Sequence, residues 1–109
     1  FRLADADADL LLEPLSAGDV VDPADHGGAT LSLAAETSPS EVGSVQFFVD
    51  DEMIRVEDFA PYTLGGNLDF DIQPWDLAPG VHTVRAVPFE LARGGGAEGI
   101  AREVTFELL

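Results

Sequence analysis

The chain has 109 residues and no cysteine, and its 21 acids face five bases, all Arg, for a net charge of −16 at pH 7. One domain with a buried core is expected at this length. The charge argues against nucleic acid and anionic membrane as partners, because both recruit clustered positive charge.

The missing thiols exclude disulfides and thiolate metal sites without fixing the compartment. No apolar run approaches the roughly 18 residues of a membrane-spanning helix, and membrane insertion is not expected. Phe1, standing where an initiator Met would, reads as a processed product or an excised module. The acid surplus reads as a solvated surface kept soluble by self-repulsion in a salty or extracellular setting, with a cation-binding surface as the alternative.

Phe1, Arg2 and Leu3 open a short strand. Asp5, Asp7 and Asp9 alternate with Ala, so an extended backbone would set the three carboxylates on one side. Leu10, Leu11 and Leu12 run into Pro14, an edge-strand signal. Residues 16–28, rich in Asp, Gly, Pro and Ala, read as a loop. In the strand 30–37, Leu31, Leu33 and Ala35 face in, and Ser32, Ala34 and Glu36 face out. A turn follows at 38–40.

Residues 43–56 read as one hairpin around which the remaining sheet is built. Val45, Phe47 and Val49 share one strand face, Phe48 points the other way, Asp50 and Asp51 turn the chain, and Ile54 and Val56 resume the alternation. Ala60, Pro61 and Tyr62 make a restricted crossing. Gly65, Gly66 and Asn67 break the structure. Leu68, Phe70 and Ile72 alternate with Asp69 and Asp71 in a short extended segment. A turn at 77–80 leads into a strand over 81–89, ended or bulged by Pro88. Gly94, Gly95 and Gly96 read as a mobile loop. Residues 100–109 close the chain as a strand with Val104, Phe106 and Leu108 on one face.

About seven short strands, with turn signals between them and no convincing helix, predict an all-β antiparallel sandwich, with a barrel as the alternative. The order Val42-Gly43-Ser44-Val45, Phe47, Val49-Asp50, Ala60-Pro61-Tyr62 and then 77–84 (LAPGVHTV) resembles the Ig-like domains of bacteria, which recur in large secreted and cell-surface proteins. The opening Leu3-Ala4-Asp5-Ala6-Asp7 is similar to the first strand of such repeats. The resemblance covers most of the chain and implies one Ig-like β-sandwich over 1–109. Two departures from the pattern are Asp51 in place of the usual turn Gly and an outward Phe48 in place of a polar residue. The second suggests a contact surface.

No catalytic constellation is visible. His82 stands where the Ig-like pattern places a residue that packs or bonds back to the turn, and His26 lies in an acidic loop. Ser16, Ser38 and Ser40 have no base or orienting partner in view. Asp5, Asp7 and Asp9 begin like a calcium loop, but Leu10 and Ser16 stand where Gly and Glu are needed. Asp69, Asp71 and Asp76 form a second acidic group. The cofactor expectation is none, with calcium at Asp5, Asp7, Asp9, Asp69 and Asp71 as the alternative. Trp75 and Tyr62 are the candidates for stacking on a sugar ring, against simple packing in the sandwich. The triple glycine is no phosphate cradle, since neither a helix start nor a Lys follows it.

The resemblance and the missing catalytic set imply a non-catalytic extracellular or cell-surface module. It would act as spacer, adhesion or assembly unit of a surface protein, filament or repeat array. An accessory carbohydrate- or ligand-binding module is the alternative, with glycan as partner. Its other partners would be neighbouring copies or domains of the same protein, meeting at Phe48, Phe1 and Leu109. The last strand is expected to be an open edge available for docking.

With a net charge of −16, self-repulsion opposes folding and salt screens it. The melting temperature is therefore expected to rise between low salt and molar NaCl, with calcium at matched ionic strength differing little from sodium. A flat profile would contradict the role given to repulsion, and a rise at millimolar calcium alone would indicate a specific site.

Overall fold

The alternation of Val45, Phe47 and Val49 makes the strand that organises the molecule. The computed structural model describes residues 1–38, 41–69 and 71–109. The turn expected at 38–40 and the place of Phe70 in its alternation thus fall, at Pro39, Ser40 and Phe70, outside the described residues. In chain order the elements are β1 (Arg2–Asp5), β2 (Leu10–Pro14), β3 (Val20–Val21), a 3-10 turn (Pro23–His26), β4 (Leu31–Ala35), β5 (Ser44–Val49), β6 (Glu52–Glu57), β7 (Tyr62–Thr63), β8 (Asn67–Leu68), β9 (Asp71–Ile72), β10 (Gly80–Leu91), a second 3-10 turn (Ala92–Gly94), β11 (Gly95–Glu98) and β12 (Arg102–Leu108).

One sheet runs β2-β1-β4-β7 and the other β3-β12-β10-β5-β6, with β11 paired to β10. Among the described residues all pairings are antiparallel except β3 with β12. This is an Ig-like antiparallel β-sandwich. The count exceeds the expected seven largely because four strands are two-residue pieces.

The core lies between the sheets. Leu3, Leu31, Leu33, Tyr62 and Leu64 come from one side; Val45, Phe47, Val84, Val104 and Phe106 come from the other. Phe47 is completely buried, whereas Phe48 is partly exposed. The expected register of β5 is therefore correct. The turn after it has positive φ at both Asp50 (50°) and Asp51 (68°), and Val49 pairs with Glu52 across it. That is a two-residue type I′ turn, in which Asp tolerates the backbone that Gly more often supplies.

The return strand does not keep the alternation. The register shifts between Phe47 and Phe48, leaving Ile54 unpaired as a bulge on an edge strand, where it is exposed together with Met53. A bulge of this kind twists an edge away from further pairing.

Ser32 and Ala34 point away from the core as expected, yet they are buried. Their cover is the stretch after β7. The Leu64 amide bonds to Leu33 O at 2.8 Å, the chain then leaves β4, and the Trp75 amide bonds to Leu31 O at 2.8 Å where it returns. Between those points the β8–β9 hairpin lies over the outer face, forming a small second cluster of Ala4, Ala6 and Ile72. Gly65 sits at the neck, where a Cβ would run into the backbone of Gln73 and Pro74.

Other expectations are corrected. Residues 6–9 are a turn, not extended chain, because the Asp5 carboxylate accepts from the Asp7 and Ala8 amides in an Asx-type turn. The 16–28 loop contains β3 and a 3-10 turn that Asp22 caps through the Ala24 amide. β10 passes through Pro88 to Leu91, with its irregularity between Phe89 and Leu91. The triple glycine is ordered: Gly94 closes a 3-10 turn and β11 pairs back on β10. β12 is an open edge only in part, since β10 flanks it on one side and β3 covers Glu107 and Leu108 on the other. The edge expected at β2 is an edge.

Phe47→Ala should cost about 3–5 kcal/mol, the range for truncating a fully buried aromatic. Phe48→Ala should cost clearly less. Denaturant melts of both variants check this, and the reverse ranking would contradict the register.

Candidate functional site

The polar side chains of this sandwich mostly tie backbone to backbone, and that governs what they can do chemically. The Tyr62 ring is buried, and its hydroxyl donates to Val42 O at 2.6 Å and accepts from the Val42 amide at 2.9 Å. The expectation that Tyr62 stacks on a sugar is therefore corrected: the ring belongs to the core. Trp75 is half-buried and lies on Phe106, ring centres 5.8 Å apart and planes at 18°. One of its faces is thus already covered.

Asp7 accepts from the Thr30 amide (3.1 Å) and hydroxyl (2.7 Å). Those bonds hold its carboxyl below the usual Asp range, the hydroxyl bond contributing most. Asp9 accepts from the Ile72 amide at 2.8 Å and so links the 6–9 turn to the β8–β9 hairpin. Asp69 adopts a positive φ of 50° between β8 and β9, and Asp71 opens β9. Among the described residues no group of three or more His, Asp or Glu is placed to hold a metal ion.

Among the described residues Glu57 is the one buried carboxylate, contacting Arg55 Nη1 at 3.3 Å and Asn67 Nδ2 at 3.4 Å. Its desolvation pushes the carboxyl above the ordinary Glu range, opposed by Arg55. Asn67 also donates to the Phe59 and Pro61 carbonyls. The trio fastens the edge strand β6 to the crossing segment.

His82 sits between two turns. Nδ1 is 2.8 Å from Asp50 Oδ2, and Nε2 is 2.6 Å from the Ala78 carbonyl. With both nitrogens engaged, neither is free to serve as a general base. His26 lies 3.2 Å from Glu13. His82 bonds back to the preceding turn as the sequence led us to expect; its second bond, to Asp50 on another strand, is a long-range contact that local sequence does not reveal.

The three expected contact residues do not converge. The Phe1 side chain is only 6% exposed, with its amino group 3.9 Å from Glu36. Phe48 lies on an outer sheet face under the Arg85 guanidinium, 4.2 Å from the ring centre. Leu109 is 54% exposed.

One cleft of about 760 Å³ opens beside Phe1, between the end of β4 and the β10–β11 hairpin. Its apolar lining includes Val42, Val45, Ala86 and Ile100, and Glu36, Glu41, Glu90 and Glu98 also line it, with Arg102 as the base. No motif announces it, because it arises where two sheets diverge. Among the described residues no helix is long and apolar enough to cross a membrane.

No family model matches the sequence, and no curated protein matches it either. Among solved structures, the chain is similar to one described as "Structures of Clostridium thermocellum CbhA fibronectin(III)-like modules", at 22% identity and a TM-score of 0.45. The match covers 89% of this chain and 45% of that one, so this chain spans under half the length of its neighbour. A likeness at this level does not bear on function.

Proposed function

We propose that the domain is a non-catalytic extracellular module that acts as a rigid spacer between the parts of a larger surface or secreted protein. The observation that carries this reading is where the chain ends lie. Phe1 lines the cleft with Pro88 and Phe89, while Leu108 pairs with Gly80 at the other end of β10. The eight-residue advance from Gly80 to Pro88 along an extended strand separates these ends by about 26 Å. A module entered at one end and left at the other adds its length to whatever it joins. The engaged side chains of His82, Tyr62 and the Asp turns support a structural role, and the acidic surface favours solubility over collapse onto neighbours.

A second reading, a ligand-binding accessory module, is favoured by the cleft, whose volume lies in the range of small-molecule sites. The covered faces of Tyr62 and Trp75 weaken its carbohydrate form.

Two copies joined in tandem provide the test. By small-angle scattering, the spacer reading expects the maximum dimension to grow by about 26 Å or more over one copy. A pair folded side by side with little gain in length would contradict it. Glycan-array binding lost on substitutions in the cleft would favour the second reading.

A further inference from the structure

The His82 ring faces two acceptors and no donor. A neutral imidazole carries one N–H, so in either tautomer one ring nitrogen would set its lone pair against an oxygen. With Asp50 Oδ2 at 2.8 Å from Nδ1 and the Ala78 carbonyl at 2.6 Å from Nε2, only the doubly protonated ring satisfies both contacts. The two acceptors belong to different elements: Asp50 to the type I′ turn joining β5 and β6, and Ala78 to the turn that feeds β10.

We propose that His82 is held as an imidazolium in the folded domain and acts as a pH-sensitive latch between these two turns, closed while the ring keeps its second proton and released when it is lost.

The surroundings agree with this assignment. Asp50 is the charged group on the ring, and it is itself fixed: Oδ1 accepts from the Thr83 amide at 2.9 Å, and its own amide donates to Thr83 O at 2.9 Å. β12 presents the Phe106 ring, 6.5 Å away between centres. The other charges on these strands lie at alternate positions, facing away. Arg85 is over Phe48, Glu103 pairs across from Arg85, and Glu107 pairs across from Val81. The preceding turn contributes a neutral carbonyl, and among the described residues the ion pair formed by the ring is with Asp50. The His82 side chain is 14% exposed and that of Asp50 is 52% exposed, so the ring proton can exchange with solvent.

The Ala78 carbonyl, then Asp50, raises the pKa of His82 above its ordinary value. The Thr83 amide, then His82, lowers that of Asp50. For a raised His, the stabilisation is fully present below the unfolded value of about 6.5 and is lost as pH rises through the folded value. For a lowered Asp, it is present above the unfolded value of about 3.9 and is lost as pH falls through the folded value. The latch is therefore closed in a window bounded by Asp50 on the acid side and His82 on the alkaline side. The released turn is that at Gly80, beside Leu108, so alkaline pH loosens the domain at the end where the chain leaves it.

The test is a nitrogen-15 NMR titration of the intact domain from pH 5 to 9, with amide exchange of Leu77, Ala78 and Gly80 measured across the same range. The expected result is N–H on both ring nitrogens near neutral pH and a titration midpoint above 6.5. Asp50→Asn, which keeps an acceptor without the charge, should lower that midpoint. On deprotonation, turn protection, corrected for intrinsic exchange, should fall by about tenfold for each unit by which the ring is raised. A midpoint at or below 6.5, a single neutral tautomer at neutral pH, or turn exchange indifferent to the titration would each overturn the proposal.

Discussion

Hydrogen bonding of backbone amides by aspartate carboxylates is the interaction on which the rest of this structure depends. The strands are short, so many amides at their ends have no ladder partner and need another acceptor. Asp5, Asp7, Asp9, Asp19, Asp22, Asp50 and Asp58 each accept from at least one backbone N–H. Besides the bond from Thr83 to Asp50, three of these bonds span long stretches of chain: Asp7 to Thr30, Asp9 to Ile72 and Asp58 to Arg93. They hold the 6–9 turn to the start of β4, the same turn to the hairpin over the outer face, and the crossing segment to the turn before β11. A charge-assisted bond of this kind is stronger than a neutral one.

This gives the acidic composition a second meaning. A net charge of −16 works against the compact state through repulsion, yet a share of the same carboxylates closes the turns. The cost is diffuse and screened by salt, whereas the benefit is local and depends on each group staying ionised. Ser44 shows the same logic with a neutral group. Fully buried, its hydroxyl donates to Leu91 O and accepts from the Gly94 amide. It thereby fixes the foot of the β10–β11 hairpin, where the glycine run alone suggests mobility.

The central hairpin was legible because a period of two and a pair of turn-forming Asp are local signals. So were the edge position of β2 and the inward faces of β5 and β12. What was not legible depended on contacts distant in sequence. Ser32 and Ala34 read as solvent-facing because nothing near them announces that the chain at Gly65 and Ile72 will cover this face. Residues 5–9 fit an extended pattern and an Asx turn equally well by composition, and the turn prevails because Thr30 and Ile72 supply amides for Asp7 and Asp9. β3 is two residues long and pairs in parallel with a strand far along the chain, so no periodicity reveals it. The candidate site was less legible still. Tyr62 and Trp75 have the chemistry of a sugar platform, but burial decides their use, and the cleft is a gap between sheets with no motif of its own.

The central claim, that ionised aspartates tie the turns, is tested most directly by the unfolding free energy between pH 5 and pH 2.5 in molar NaCl, where general repulsion is screened. Asp7 and Asp50 titrate below their ordinary value in the folded state, so their stabilisation is present above the unfolded value of about 3.9 and is lost as pH falls through the folded one. The account predicts a clear loss of stability over this range. Stability that stayed level or rose on acidification would contradict it.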